Sequence, residues 1–345
     1  MPADLHLRAA LSNAPLALGG APLGNLFRTV ADADAGAVVA AALDGGIDYF
    51  DTAPHYGHGL SETRFGRALA SVPRERFLLS TKVGRLLAPW AEAPRVQHGY
   101  VDGLPMVQRY DYSYDGTLRS LDDSLARLAL ARIDIAYVHD IDVETHGAEQ
   151  PARFRAMVGG ALPALARRKA DGALAAYGLG VNDVQVCLDT LAVADLDVIL
   201  LAGRYTLADQ TALPALLPQC EARGVAIVAG GPFNSGILAT GARPRDGSAP
   251  YYNYAPAPPA VVAKVARIEA VCAEFGVPLR AAALQFPRAH PAVACVLVGA
   301  RTVAELDDNL AQARHPIPRA FWEALRARRL VDEAAPVPGD EAATR

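Results

Sequence analysis

The sequence is poor in several features that would fix a protein's class directly. Its 345 residues include only 4 cysteines, 3 methionines and 2 tryptophans, and no two cysteines form a C-x-x-C pair. The four thiols lie in apolar stretches, which indicates reduced core residues of a cytoplasmic protein rather than a disulfide framework. No apolar run reaches the ~18 residues of a membrane span. The first residues also lack the basic and apolar regions of a secretory signal.

The sequence also lacks a large excess of positive or of negative charge. The chain has 33 basic and 37 acidic residues, giving a formal net charge of -4. Without a basic field, we expect neither nucleic acid nor an anionic membrane as a partner. We expect instead a small-molecule ligand and a monomer or small homo-oligomer.

A glycine-rich dinucleotide motif is absent after the first predicted strand. The nearest candidate, residues 19–24, has Pro22 in the turn and no helix directly after it, so an open doubly wound sheet is disfavoured. Eight apolar segments, each followed by a helical one, are present instead. They lie at residues 17–20, 47–50, 77–83, 133–138, 173–180, 197–201, 225–229 and 294–298. Eight such units predict a (β/α)8 TIM barrel forming one domain over residues 1–345, with a C-terminal tail from about residue 331.

Two long segments, residues 84–114 and 230–256, follow predicted strands. A barrel places such loops at its C-terminal face, where active sites form. The loops either pack on their own side chains or form the walls of a pocket; pocket walls are favoured because rings with polar tips suit a sugar or another ring-shaped substrate. Their nine aromatic residues are Trp90, Tyr100, Tyr110, Tyr112, Tyr114, Phe233, Tyr251, Tyr252 and Tyr254.

Ionisable side chains stand at the ends of three predicted strands. Asp51 and Tyr56 follow one, Lys82 ends the next and His139 ends a third. An ammonium beside a phenol favours its anion, and an acid beside the ammonium keeps it charged. The alternative is that Asp51 and Lys82 form only a structural ion pair. The H-x-x-H spacing of His55 and His58 is a weak metal signal, and we expect no metal site.

These motifs resemble those of the aldo-keto reductase superfamily. The matching segments read F-D-T-A-P-H-Y-G at residues 50–57, S-T-K-V at residues 80–83 and V-H at residues 138–139, within a resemblance that spans about residues 16–310. The resemblance implies a catalytic tetrad of Asp51, Tyr56, Lys82 and His139. Tyr56 would be the general acid or base, and His139 would orient the reacting oxygen.

The resemblance also implies a nicotinamide dinucleotide bound across the barrel mouth. The implied cofactor-binding residues are Gly20, Ala21, Asp51, Asn182, Gly231, Phe233, Asn234, Ser235, Gly299, Arg301, Glu305 and Asn309. Gly230 and Ala202 depart from the family pattern, because an aromatic and an amide side chain often stand there. Glu305 would repel a 2′-phosphate, so NAD is favoured; nearby Arg301 leaves NADP possible.

Within the superfamily, the motifs are most similar to those of members that oxidise a free aldose at C1 to its lactone. L-fucose, D-arabinose or a similar D-threo-aldose is therefore the expected substrate, with His55, Trp90, Tyr112, Arg204 and Tyr252 as candidate contacts. Oxidation of pyridoxal, oxidation of L-galactose and general aldehyde reduction remain alternatives. A non-catalytic barrel that binds the dinucleotide for regulation is an alternative of another class.

Overall fold

The centre of the protein is a closed barrel of eight parallel strands, seen in a computed structural model that describes residues 3–14 and 16–340. The strands are β1 (Ala17–Gly19), β2 (Tyr49–Asp51), β3 (Leu78–Val83), β4 (Ile135–His139), β5 (Ala176–Val181), β6 (Val198–Ala202), β7 (Ala226–Gly230) and β8 (Val293–Gly299). Leu18 of β1 pairs with both Val298 and Phe50, which joins the last strand to the first. The predicted (β/α)8 barrel is confirmed.

Helices cover the outside of the barrel. The longer ones are Ala3–Leu11, Asp32–Asp44, Leu60–Leu69, Tyr114–Leu128, Gln150–Ala156, Leu162–Ala170, Val184–Leu191, Leu216–Arg223, Pro259–Phe275, Leu279–Gln285, Val303–Ala313 and Arg319–Ala327. The shorter helical turns are Pro22–Gly24, Arg74–Arg76, Val143–His146, Gly147–Glu149, Met157–Ala161, Asn234–Gly236, Ile237–Thr240 and Phe286–Ala289. Side-chain caps fix several helix starts: Ser113 accepts from the Gly116 amide, and Thr302 from the Glu305 amide.

The core has two layers, which follow from the alternation of side chains along each strand. Ile199 and Leu201 of β6 pack outward against the helices. Leu200 points into the barrel with Val228 of β7 and Cys295 of β8. All four cysteines are buried free thiols, as the sequence predicts.

Predicted element boundaries are wrong where local signals were weak. The helical segment predicted after residues 133–138 includes a helix that begins at Gln150 and continues through a π-helical turn, Met157–Ala161, into Leu162–Ala170. The strand predicted at residues 173–180 begins at Ala176. The segment from about residue 331 has no helix or strand up to residue 340, yet Val331, Ala335 and Val337 are buried against the body.

The two long loops fold back over the C-terminal mouth. In the first, Arg85–Pro89 pairs antiparallel with Met106–Tyr110, and Val96–Gln97 pairs with Tyr100–Val101 at its tip. The tip reaches the loop after β1, where the Phe27 amide donates to the Gly99 carbonyl at 2.8 Å. In the second, Tyr251–Tyr252 pairs with Ala255–Pro256. Among the residues that the structure describes, no helix is long and apolar enough to cross a membrane.

Candidate active site

An ion pair between Asp51 and Lys82 lies at the C-terminal ends of β2 and β3. Lys82 Nζ is 2.6 Å from Asp51 Oδ2, and each side chain is 1% exposed. Lys82 Nζ also donates to the Thr52 carbonyl at 3.0 Å. Burial raises the pKa of Asp51, and the Lys82 ammonium acts against that rise. Burying these two charges costs hydration free energy, and their short, direct contact offsets that cost.

A chain of hydroxyl groups inside the barrel supports this pair. Ser80 Oγ donates to Asp51 Oδ1 at 2.7 Å and lies 2.9 Å from Tyr49 Oη. Tyr49 Oη is in turn 2.9 Å from Tyr137 Oη. All three supporting side chains are buried. The sequence analysis did not identify Ser80, Tyr49 or Tyr137. The signal that could have found these residues is a polar side chain at a strand position that faces the barrel interior.

Tyr56 and His139 complete the group. Lys82 Nζ lies 4.5 Å from the centroid of the Tyr56 ring. The His139 ring stands edge-on to Tyr56, with the centroids 5.9 Å apart. The turn that carries Tyr56 needs glycine at position 57, because φ there is +63° and a Cβ would lie 2.4 Å from the Gly24 carbonyl oxygen. The structure therefore brings all four predicted tetrad side chains to one place.

The pKa of Tyr56 differs from the sequence-based expectation. Burial raises it well above the usual value, and the negative charge of Asp51 raises it further. Burial outweighs the lowering of this pKa expected from Lys82, whose ammonium is paired with Asp51 at 2.6 Å. Tyr56 is thus a protonated phenol, ready to donate.

His139 is a neutral imidazole in contact with an acid. Burial lowers its pKa well below the usual value, and Arg85 and Lys82 lower it further. Its Nε2 lies 3.3 Å from Asp140 Oδ2, so Nε2 carries the proton. Burial raises the pKa of Asp140 to about 6. Arg85 Nη2 contacts the same carboxylate oxygen at 2.5 Å.

These side chains open onto a cavity of about 390 Å³ at the barrel mouth. Of the predicted residues, Ala21, His55, Tyr56, Lys82, His139 and Asn182 line it. The other lining residues are Leu26, Phe27, His98, Gly99, Tyr100, Asp140, Gly180, Val181, Leu200, Ala202 and Tyr254. Phe27 and Tyr254 form an exposed aromatic rim, at 56% and 57% exposure. The loop-wall prediction holds for Tyr100 and Tyr254.

Three predicted substrate contacts do not line this cavity. Trp90 is 37% exposed at the outer part of the first loop. Tyr112 is buried and donates to the His139 carbonyl at 3.0 Å, so it supports the end of β4. Tyr252 donates to Asp209 at 2.6 Å. The sequence marked these loops as aromatic but did not indicate which rings turn inward.

Arg204 lies beside the cavity rather than in it. Its Nε donates to the Asn182 carbonyl at 2.6 Å, and it lines a small adjoining cleft of about 40 Å³. Among the predicted histidines, His55 faces the cavity, whereas His58 is 1% exposed and does not line it. Burial lowers the pKa of both, that of His58 to about 4, so both are neutral at pH 7.

Gly231, Asn234 and Ser235, which the resemblance implies as cofactor-binding residues, line the small cleft. All three have left-handed backbones, with φ of +58°, +45° and +60°. Side-chain roles differ from expectation: Asn234 Nδ2 donates to the Gly203 carbonyl at 3.1 Å, so that amide is engaged within the protein. Phe233 packs on the core beneath Arg280 instead of facing the cleft.

Four further implied cofactor-binding residues, Gly299, Arg301, Glu305 and Asn309, lie between the end of β8 and the middle of the helix Val303–Ala313. Glu305 accepts from the Arg301 amide at 2.8 Å and from Arg28 Nη2 at 3.0 Å. Asn309 is buried, and its side chain bonds Arg280 and the exposed Gly299. Arg28, which sequence reasoning missed, ties the loop after β1 to this helix.

The mouth fits an extended dinucleotide in two respects. A continuous line of cavity and cleft runs from Ala21 past Asn182 to Ser235. The small side chain at the end of β6, Ala202, leaves room for a flat ring in the cavity, and Tyr254 supplies an aromatic side chain that lines the same cavity. Gly20, by contrast, packs closely against Phe65 and Ser61, since a Cβ at this position would lie 2.4 Å from each of these side chains.

An eight-stranded parallel barrel with this acid, phenol, ammonium and imidazole at its C-terminal mouth has the architecture of a barrel oxidoreductase. The chain belongs to the aldo/keto reductase family, whose model matches residues 15–329. Members of this family bind nicotinamide cofactors.

Three similar proteins are named as dehydrogenases of pyridoxal or of sugars. The chain is 43% identical to pyridoxal 4-dehydrogenase of Microbacterium luteolum, over 94% of this chain and 96% of that protein. It is 39% identical to D-threo-aldose 1-dehydrogenase of a Pseudomonas species, with the same two coverages. It is 30% identical to L-galactose dehydrogenase of Arabidopsis thaliana, over 89% and 88%.

Solved structures share the fold. The glycerol dehydrogenase of Gluconobacter oxydans superposes with a TM-score of 0.70 at 24% identity, covering 95% of this chain and 94% of that one. The holo form of an aldo-keto reductase from Bacillus halodurans superposes with a TM-score of 0.66 at 24% identity, covering 94% of each chain. At this identity the likeness concerns the barrel alone.

Proposed function

We propose that the protein oxidises the anomeric carbon of a free aldose, such as L-fucose or D-arabinose, to the lactone with NAD or NADP. The observation that carries the proposal is the convergence of Asp51, Tyr56, Lys82 and His139 at one polar cavity. The relatives named for D-threo-aldose and L-galactose support the sugar assignment.

In this proposal Tyr56 moves the proton and His139 holds the reacting oxygen. For oxidation, the Tyr56 phenolate takes the proton of the anomeric hydroxyl as hydride leaves C1, and the C1–O bond becomes a carbonyl. The Nε2–H of His139, which lies 3.3 Å from Asp140 Oδ2, would be shared between that carboxylate and the reacting oxygen. Because burial raises the pKa of Tyr56, oxidation should accelerate as pH rises, whereas reduction uses the protonated phenol.

A bound nicotinamide dinucleotide supplies the hydride acceptor. Ala21 and Asn182 would contact the nicotinamide end, and the left-handed backbone of Gly231 and Ser235 would contact the phosphates. Glu305 would face the adenosine ribose and favour NAD, since a carboxylate repels a 2′-phosphate.

Pyridoxal is the second candidate substrate. The relative named for it is 43% identical over 94% of the chain. Pyridoxal also forms a cyclic hemiacetal, so its oxidation to a lactone needs the same proton carrier and the same oxygen-binding imidazole. The aromatic rim of Phe27 and Tyr254 suits either a pyridine ring or the apolar face of a sugar.

The test follows reduced-nicotinamide absorbance with NAD and NADP on L-fucose, D-arabinose, L-galactose, pyridoxal and simple alcohols. We expect an aldose to give the highest kcat/KM and its epimers lower values. A preference for pyridoxal over every sugar would replace the aldose assignment. Tight dinucleotide binding without turnover of any substrate would favour the regulatory alternative.

A further inference from the structure

Asp140 is an acid in the cavity that the tetrad chemistry does not use. It follows the last residue of β4 and lines the cavity beside Tyr56 and His139. Its φ is +40°, a left-handed conformation that non-glycine residues seldom adopt. Its amide donates to the Gly180 carbonyl at 3.1 Å. Strained backbone of this kind persists where the surrounding structure enforces it, and it clusters at ligand sites.

Arg85 fixes the direction of this carboxylate. Arg85 Nη2 is 2.5 Å from Asp140 Oδ2, and the two side chains are 5% and 20% exposed. Arg85 Nη1 is itself held at 3.0 Å by Gln108 Oε1. The first long loop, which begins at Arg85, therefore holds the acid in place. A charge-assisted contact of this length is among the stronger hydrogen bonds in proteins.

One oxygen of Asp140 remains free to bind a ligand. Oδ2 contacts Arg85 and lies 3.3 Å from His139 Nε2, whereas Oδ1 accepts no hydrogen bond from the described residues. The His139 imidazole binds the reacting oxygen in the proposed mechanism. Because Asp140 contacts that imidazole and lines the same cavity, a sugar whose reacting oxygen binds His139 would bring the hydroxyl of its neighbouring carbon near this carboxylate.

We propose that Asp140, held by Arg85, is the specificity residue that accepts a hydrogen bond from the hydroxyl on the carbon next to the reacting carbon. The inference rests on the proposed function for its substrate class, namely aldehydes and hemiacetals with an adjacent hydroxyl. A substrate that lacks this hydroxyl leaves a partly buried carboxylate oxygen without a partner, and sites of this kind reject such analogues strongly.

The experiment compares D-arabinose with 2-deoxy-D-ribose, which is the same sugar without that hydroxyl. The enzymes are the wild type, Asp140→Asn, Asp140→Gly and the control Glu149→Gln. Asparagine and glycine both tolerate the left-handed backbone, so both variants should fold. Glu149 is 69% exposed, and within the described part of the chain it pairs with Arg153 alone, so its variant reports the effect of losing a carboxylate elsewhere.

We expect the wild type and Glu149→Gln to prefer D-arabinose by about tenfold or more in kcat/KM. Both Asp140 variants should bring this ratio towards one, mainly by losing activity on D-arabinose. Dinucleotide binding, followed by quenching of protein fluorescence, should be unchanged. A variant that is slower on both sugars with the same ratio would overturn the proposal, because Asp140 would then only position His139 or Arg85.

Failure of the proposed function has a different signature. If no aldose is oxidised, the aldose assignment is refuted. The role of Asp140 is then tested in the reduction direction, by the ratio of kcat/KM values for glycolaldehyde and acetaldehyde, which also differ by one adjacent hydroxyl. An equal preference in the wild type and Asp140→Gly would overturn the role of Asp140 there as well. A preference lost in the variant would support it.

Discussion

Replacing Lys82 with methionine removes the cation of the buried pair and leaves a side chain of similar length. In the wild type, Lys82 Nζ contacts Asp51 Oδ2 at 2.6 Å, and both side chains are 1% exposed. Removing one partner of such a pair leaves a buried charge uncompensated, which costs about 3–5 kcal/mol of unfolding free energy. We expect Lys82→Met to lose that much at neutral pH, as measured by urea unfolding.

The loss should depend on pH in a defined direction. Burial raises the pKa of Asp51 in the folded protein, and removing Lys82 takes away the largest effect that opposes that rise. An acid whose folded pKa exceeds its unfolded value, ~3.9, stabilises the fold when protonated. The deficit of Lys82→Met should therefore shrink as pH falls through the raised pKa of Asp51, and grow as pH rises through it.

The double variant Asp51→Asn/Lys82→Met is the matched control. It removes both charges and retains an acceptor for Ser80, so it should recover most of the lost stability. Turnover should stay low in both variants, and the pH midpoint of oxidation in Lys82→Met should move upward, because the negative charge of Asp51, which raises the pKa of Tyr56, is no longer balanced by the ammonium. A Lys82→Met protein as stable as the wild type at every pH would refute the reasoning.

Four further outcomes follow from particular residues. Tyr56→Phe should keep dinucleotide binding by fluorescence titration and lose turnover by ~10² or more; undiminished turnover would exclude Tyr56 as the proton carrier. Glu305→Arg should shift the ratio of kcat/KM values towards NADP by about 1–2 kcal/mol, and an unmoved ratio would mean that the 2′-phosphate binds elsewhere. Gly57→Ala should destabilise the fold and slow turnover, because its Cβ would lie 2.4 Å from the Gly24 carbonyl oxygen. Gly36→Ala, in the helix Asp32–Asp44 with nothing within 4 Å of its Cβ, should instead raise the unfolding free energy by about 0.5–1 kcal/mol.

The sequence by itself determined the barrel, and its resemblance to the aldo-keto reductase superfamily selected the four tetrad positions. Each depends on local pattern: a short buried strand has the same apolar signature wherever it occurs, and Asp51, Lys82 and His139 stand at or next to strand ends. Parallel strands of a closed barrel carry such residues to one face whatever the loops do. For that reason the group could be assembled without coordinates.

Only the tertiary structure decided which loop side chains reach the cavity. Trp90 and Tyr100 lie on the same aromatic loop, yet only Tyr100 lines the cavity, because the hairpin pairing of residues 85–89 with 106–110 sets the path of its tip. The environment of Asp140 was equally inaccessible. Its left-handed backbone and its contact with Arg85 depend on residues 55 positions apart. Burial, too, is a property of the fold, and it raises the pKa of Tyr56, which residue types alone had suggested would be lowered.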